Sequence, residues 1–134
     1  MTGIQKCIVA LAVVLLVGCG PKAEQILDTK SAAERQARGE LLLDVREADD
    51  YKEFHIPNSM NLPYGRLALR LAELESYKNK TVMVIDHTGQ RAPRAFEILQ
   101  KAGFSQVFLV QGGMVAWKAA GLPIEKLDMQ SQQQ

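Results

Sequence analysis

Val82 to Gln100 reads VMVIDHTGQRAPRAFEILQ, and the fold turns on how that stretch is parsed. "TVMVI", Thr81 to Ile85, is an unbroken apolar run of strand length. Such a run suits a strand covered on both faces, as parallel sheets require. The chain then leaves the apolar run at Asp86 and turns through Gly89. It enters an apolar-periodic segment, Pro93 to Ala102, which reads as a helix closed by Gly103. The unit is therefore strand, six-residue loop, helix, with a carboxylate where the strand ends.

The same grammar runs outward in both directions. A brief strand is expected near Gln25–Leu27, and Asp28 can cap a helix through about Ala37 that Gly39 closes. "LLLDV", Leu41 to Val45, is a second buried strand, and Glu47 to Phe54 a short helix. Pro57 and Pro63 flank a short extended piece in "IPNSMNLP". Leu67, Leu71 and Leu74 recur at helical spacing and predict an amphipathic helix over Arg66 to Tyr77. "QVFLV", Gln106 to Val110, is another strand, and Met114 to Ala120 a last helix, ended by Gly121 and Pro123. Strands alternating with helices predict an α/β fold, an open parallel sheet with helices on both faces. In such sheets ligands bind outside the carboxyl ends of the strands, where Asp86 to Arg91 lies.

The N-terminus belongs to another class of sequence. Met1 to Lys6 carries one cation, and Cys7 to Val17 ("CIVALAVVLLV") is wholly apolar but shorter than the roughly 20 residues that span a bilayer. That pattern describes a secretory signal over residues 1–18. "LVGC", Leu16 to Cys19, resembles the lipobox of bacterial lipoproteins, in which the cysteine is acylated and becomes the new N-terminus. That likeness implies a membrane anchor through lipid on Cys19 and a short linker over 19–24. It also implies a location in the cell envelope, facing the periplasm. Gly20 in place of an aspartate resembles the outer-membrane sorting pattern of Gram-negative lipoproteins. At the other end, residues 127–134, with the polar run "DMQSQQQ" from Asp128, read as a disordered tail.

Loss of residues 1–18 removes Lys6 from the sixteen Lys and Arg, leaving fifteen against fifteen Asp and Glu. A neutral chain gives no reason to expect nucleic acid, whose backbone demands an excess of cations. The chain's two cysteines are Cys7 and Cys19. The first leaves with the signal and the second carries the lipid. The exported domain is then expected to lack a disulfide, a cysteine metal site and a thiol nucleophile.

Three motifs in order resemble one family. "LLLDVREADDYKEFHIPNSMNLP", Leu41 to Pro63, is similar to the rhodanese-like pattern of strand, Asp-x-Arg, acidic helix, His-Ile-Pro and Asn-x-Pro. "DHTGQR", Asp86 to Arg91, fits that family's six-residue active loop. "FLVQGGMVAWKAAGLPIE", Phe108 to Glu125, resembles its closing segment. The likeness covers about residues 25–126 and implies a sheet of about five strands. Rhodaneses move a sulfane sulfur from thiosulfate or a similar donor to an acceptor such as cyanide, carrying it as a persulfide on a cysteine at the first loop position. Here that position is Asp86, and a carboxylate oxygen cannot carry a persulfide.

The residues then sort by chemistry. A loop curling into a helix N-terminus turns backbone N–H groups and the helix dipole toward an anion. Asp86, His87, Thr88, Gly89, Gln90 and Arg91 form that cradle, and the Asp86 side chain is expected to fill it from within. Arg91 is expected to neutralise Asp86, and Gly89 to permit the turn. Asp44 and Arg46 match the family's Asp-x-Arg and read as a structural ion pair, and His55 as a hydrogen-bonded corner. Gly112 and Gly113 lack the spacing and lysine of a P-loop and read as a tight turn. Trp117 reads as core. A metal is not expected, because adjacent Asp86 and His87 seldom converge on one ion and structural zinc wants four ligands. No cofactor is expected either.

The function predicted from these residues is a non-catalytic binding or regulatory module with a protein partner, not an enzyme. Two enzymatic alternatives stand beside it. One is a sulfurtransferase-related protein presenting a donor to another protein's cysteine. The other is a hydrolase using Asp86, by analogy with dual-specificity phosphatases that share the fold. Their loop is one residue longer and also uses cysteine, and an aspartyl nucleophile would want Mg²⁺ and further carboxylates.

Overall fold

A computed structural model of the chain describes residues 20–127. The expected signal segment 1–18, Cys19 and residues 128–134 of the expected tail lie outside the described residues. Five strands, β1 (Ile26–Leu27), β2 (Leu41–Asp44), β3 (Met60–Asn61), β4 (Thr81–Ile85) and β5 (Gln106–Val110), form one sheet in the order β1-β5-β4-β2-β3. Every pairing is parallel. Five helices accompany them: α1 (Thr29–Ala37), α2 (Ala48–Glu53), α3 (Tyr64–Leu67), α4 (Ala92–Lys101) and α5 (Gly113–Ala119). None is long and apolar enough to cross a membrane.

The apolar runs work because alternate residues serve opposite faces. Leu41, Leu43, Val82 and Val84 pack with Phe96 and Leu99 of α4 and with Leu67 of α3. Leu42, Met83 and Ile85 pack on the other face with Ala32 of α1 and with Met114 and Trp117 of α5. Each fully buried side chain of the Leu or Phe kind contributes about 1.5–3 kcal/mol, so both faces are needed to hold the short strands. Asp28 caps α1, accepting from the Ser31 N–H at 2.7 Å, and Gly39 at φ +93° ends it.

The structure departs from expectation in three places. The predicted helix Arg66 to Tyr77 is α3 followed by a separate 3-10 segment, Leu71–Tyr77. Leu71, Leu74 and Tyr77 all turn inward, and their interval of three is the 3-10 period, not the α period. At the C-terminus Leu127, the first residue of the expected tail, is held by the domain. Leu127 N–H still donates to the Lys52 carbonyl at 3.3 Å, and Glu125 pairs with His55 as an antiparallel bridge. Part of the expected linker is structured too, as a 3-10 turn over Ala23–Gln25.

Gly112 and Gly113 join β5 to α5. A Cβ on Gly113 would stand 2.5 Å from the Asp86 carbonyl oxygen and 2.6 Å from that of His87, at φ +60°. Gly to Ala ordinarily favours a helix, yet Gly113→Ala is expected to destabilise by at least about 1 kcal/mol. Urea unfolding checks this; a neutral or stabilising result would mean the loop backbone gives way freely.

Tyr51 of α2 donates to the Ser59 carbonyl at 2.8 Å and receives the Ser59 hydroxyl at 3.1 Å. Burial first, then the Asp44 and Glu125 charges, push its phenol above the ordinary value of 10.0. The folded state thus prefers the protonated phenol. Its stabilising contribution is present below pH 10.0 and is lost as pH rises through the folded value. Tyr51→Phe is expected to flatten the alkaline fall in stability relative to the parent, measured by denaturant unfolding across that window.

Candidate functional site at the Asp86 loop

β2 and β4 are adjacent and end level, with Asp44 opposite Ile85. The sheet therefore brings the Asp44–Arg46 segment and the Asp86 loop to the same edge. Asp86 is 2% exposed. Its Oδ1 accepts the Gly89 N–H at 2.5 Å, and its Oδ2 accepts the N–H groups of Arg91 at 2.6 Å and Ala92 at 2.9 Å. Gly89 holds φ +90° to aim its N–H inward. A hydrogen bond to a charged group contributes about 1.5–3 kcal/mol in favourable cases, so three of them fix the loop firmly around its own carboxylate.

The helix end adds nothing more for an anion. The second residue of α4 is Pro93, which has no N–H. The Arg94 N–H is bonded to the Arg91 carbonyl at 3.1 Å. From behind, α5 holds the loop's carbonyls: Met114 N–H donates to Asp86 at 2.8 Å and Val115 N–H to His87 at 3.0 Å.

The Arg91 side chain departs from expectation. Its guanidinium lies 3.8 Å from Glu47, half exposed, and does not pair with Asp86. Three backbone donors already enclose the Asp86 carboxylate, so the loop's own N–H groups do the neutralising. His87, Thr88 and Gln90 are exposed.

Asp44 and Arg46 form a buried pair, 0% and 3% exposed. Arg46 Nε lies 3.1 and 3.0 Å from the two Asp44 oxygens, and Nη2 donates to Asp44 at 2.8 Å. Nη2 also donates to the Phe54 carbonyl at 2.8 Å and Nη1 to that of Asp50 at 3.4 Å, tying α2 to the strand end. His55 sits in a hydrogen-bonded corner, with Nδ1 2.9 Å from the Tyr51 carbonyl and Nε2 3.0 Å from Glu125. Trp117 is core, its Nε1 donating to the Pro123 carbonyl at 2.9 Å.

Between α2 and the loop lies a cavity of about 340 Å³, with Arg46, Asp50, Glu53 and Phe54 on one side and Asp86 and Arg91 among the residues on the other. Sequence reasoning missed Asp50, Glu53 and Phe54. Their signal was the spacing after Asp-x-Arg, which sets Glu47, Asp50 and Glu53 three apart and so on one face of a short helix. Among the described residues no group of three or more His, Cys, Asp or Glu is placed to hold a metal ion.

A five-stranded parallel α/β domain with a tight strand-to-helix loop at the sheet's carboxyl edge is the class these features define. The family model for the rhodanese-like domain matches residues 25–120, and the chain belongs to that family. It is 38% identical over 85 residues to the uncharacterized protein YibN of Escherichia coli, covering 63% of this chain and 59% of that protein. The chain thus spans about three fifths of the length of that curated relative. It is 31% identical over 100 residues to a sulfurtransferase of Allochromatium vinosum, covering 73% of this chain and 92% of that one. Among solved structures, a rhodanese-related protein from Thermoplasma volcanium superposes with TM-score 0.69 at 29% identity, covering 78% of this chain and 99% of that one.

Proposed function

We propose that this protein is a lipid-anchored rhodanese-like domain in which Asp86 replaces the sulfur-carrying cysteine, serving as a non-catalytic binding or regulatory module. One observation carries the reading: the Asp86 carboxylate occupies the centre of its own loop, bonded to Gly89, Arg91 and Ala92. An anionic donor such as thiosulfate would have to displace a carboxylate that is covalently part of the site. A persulfide also needs a sulfur atom, and the chain's cysteines are Cys7 and Cys19, both before the domain. The anchor rests on the apolar run before Cys19, with a partner protein in the envelope.

The likeness to a sulfurtransferase favours one competing reading, sulfur transfer in which this domain presents a donor to another protein's cysteine. A cyanide–thiosulfate assay on residues 20–134, run alone and with a cysteine-bearing acceptor protein added, separates the two, since the competing reading expects turnover only when the acceptor is present. The parent is expected to form no thiocyanate above buffer. Asp86→Cys is expected to form it measurably, because the same N–H groups that hold the carboxylate favour a thiolate. Parent turnover abolished by Asp86→Ala would sink the non-catalytic reading.

A further inference from the structure

We infer that the end of the domain opposite the Asp86 loop docks on the anionic headgroups of the membrane that holds the anchor. The inference rests on the lipid anchor of the proposed function and adds which way the anchored domain faces. Every strand pairing is parallel. The turns that lead into β1, β2, β4 and β5 therefore gather at one end, and the Asp86 loop lies at the other. Asp86 follows the five residues of β4, and at about 3.3 Å per residue it stands roughly 20 Å from Lys80.

The anchor joins the domain at the first of these ends. Gly20 to Lys22 precede the 3-10 turn Ala23–Gln25, which leads directly into β1. Cys19 is only four residues before Ala23. An extended chain spans at most about 3.6 Å per residue, a reach of about 14 Å. A lipid on Cys19 therefore keeps this end close to the headgroups and leaves the Asp86 loop on the far side.

The charges at that end fit an anionic surface. One exposed cation without an ion-pair partner among the described residues precedes each of four neighbouring strands: Lys22 before β1, Lys101 before β5, Lys80 before β4 and Arg38 before β2. Two of these turns are tied together. Ser105 N–H donates to the Lys78 carbonyl at 3.0 Å, and Gln106 Nε2 to that of Asn79 at 3.2 Å. Of the acids there, Glu40 is held by Arg35 at 3.0 Å and Glu75 by Lys78 at 3.5 Å, which leaves Glu24. Glu34 and Glu97 stand a helical turn further up α1 and α4. At the loop end the exposed cations Lys30, Arg66 and Arg94 are matched by the exposed acids Asp28, Asp50 and Glu53. The excess of positive charge thus belongs to the end nearest the anchor. A negative lipid surface attracts Lys and Arg only within a Debye length, roughly 8 Å at physiological salt. The tether lets the four cations enter that range, while the loop end stays outside it.

The test uses the full-length lipoprotein, isotopically labelled and reconstituted in bicelles that carry a gadolinium-chelating lipid. The bicelles are of phosphatidylcholine alone or of an equimolar mixture with phosphatidylglycerol. In the mixture, the amides of residues 38–40, 78–80 and 101–105 are expected to lose intensity to the paramagnetic headgroups, and those of 86–91 to keep theirs. In phosphatidylcholine alone that contrast is expected to fall, because no surface charge holds the cations down. The exposed triple variant Arg38→Glu, Lys80→Glu, Lys101→Glu is expected to lose the contrast in the mixture. Added salt is expected to do the same to the parent without any substitution. Mass spectrometry of the same sample reads the lipid on Cys19. A chain recovered without it overturns the anchor and this orientation together. A lipidated chain with equal contrast in both bicelles, or with 86–91 amides that fade alongside the others, overturns the orientation alone and leaves the anchor standing.

Discussion

Asp86→Ala is expected to cost the folded state about 3 kcal/mol, and sulfate is expected to return much of it to the variant alone. Truncation leaves the N–H groups of Gly89, Arg91 and Ala92 without their acceptor. An unsatisfied buried donor costs about 1–3 kcal/mol, and water entering the space vacated by the carboxylate offsets part of the total. The same change empties a ring of donors at a helix N-terminus, which is a ready anion site. An anion that binds only the folded variant stabilises it by about 2.7 kcal/mol at a hundred times its dissociation constant. The parent can gain only the general exclusion effect of sulfate, because its site is full. Urea unfolding of both proteins in chloride and in sulfate, at matched ionic strength, gives the comparison. Equal sulfate gains in parent and variant would show that the carboxylate does not occupy an anion site.

Asp86→Asn sharpens the test. A carboxamide keeps the shape but offers one acceptor oxygen, while the loop points donors at both. Whichever way the amide turns, its NH₂ faces at least one backbone N–H. The variant is therefore expected to lie between the parent and Asp86→Ala in stability, with less response to sulfate than Asp86→Ala.

The bonds around Asp86 span three to six residues, and local patterns of that length are what a sequence displays. The same holds for the Asp28 cap, for the apolar runs that became β2, β4 and β5, and for the glycines that end helices. What escaped were features set by distant partners. Tertiary packing turned Leu71, Leu74 and Tyr77 inward together and drew that segment into 3-10 geometry. Arg91 found Glu47, forty-four positions earlier, once β2 and β4 lay side by side. His55 and Glu125 are seventy residues apart and meet only because the chain after α5 returns to α2. The α2 wall of the cavity was hidden for the same reason: its acidic residues line a cavity only because the loop stands opposite.

Removing either partner of the Asp44–Arg46 pair is expected to be at least as damaging as loss of Asp86. Arg46→Ala leaves a carboxylate with 0% exposure and no guanidinium, and it frees the Phe54 carbonyl. Asp44→Ala leaves a buried guanidinium with only carbonyls for company. Breaking a buried pair this way costs about 3–5 kcal/mol, because an uncompensated charge stays behind. Replacing both by apolar groups, Asp44→Leu with Arg46→Met, removes the charges together and is expected to cost less than either truncation. Urea unfolding of the single and double variants measures the difference; strictly additive losses would mean the two side chains act independently. The pair also has a positional task that stability alone does not report. Arg46 ties the Asp50 and Phe54 carbonyls to the end of β2, so it sets how far α2 stands from the Asp86 loop. The apolar double variant keeps the core but cuts those ties. It is therefore expected to stay folded while its α2 amides lose hydrogen-exchange protection, separating what holds the sheet together from what holds the cavity open.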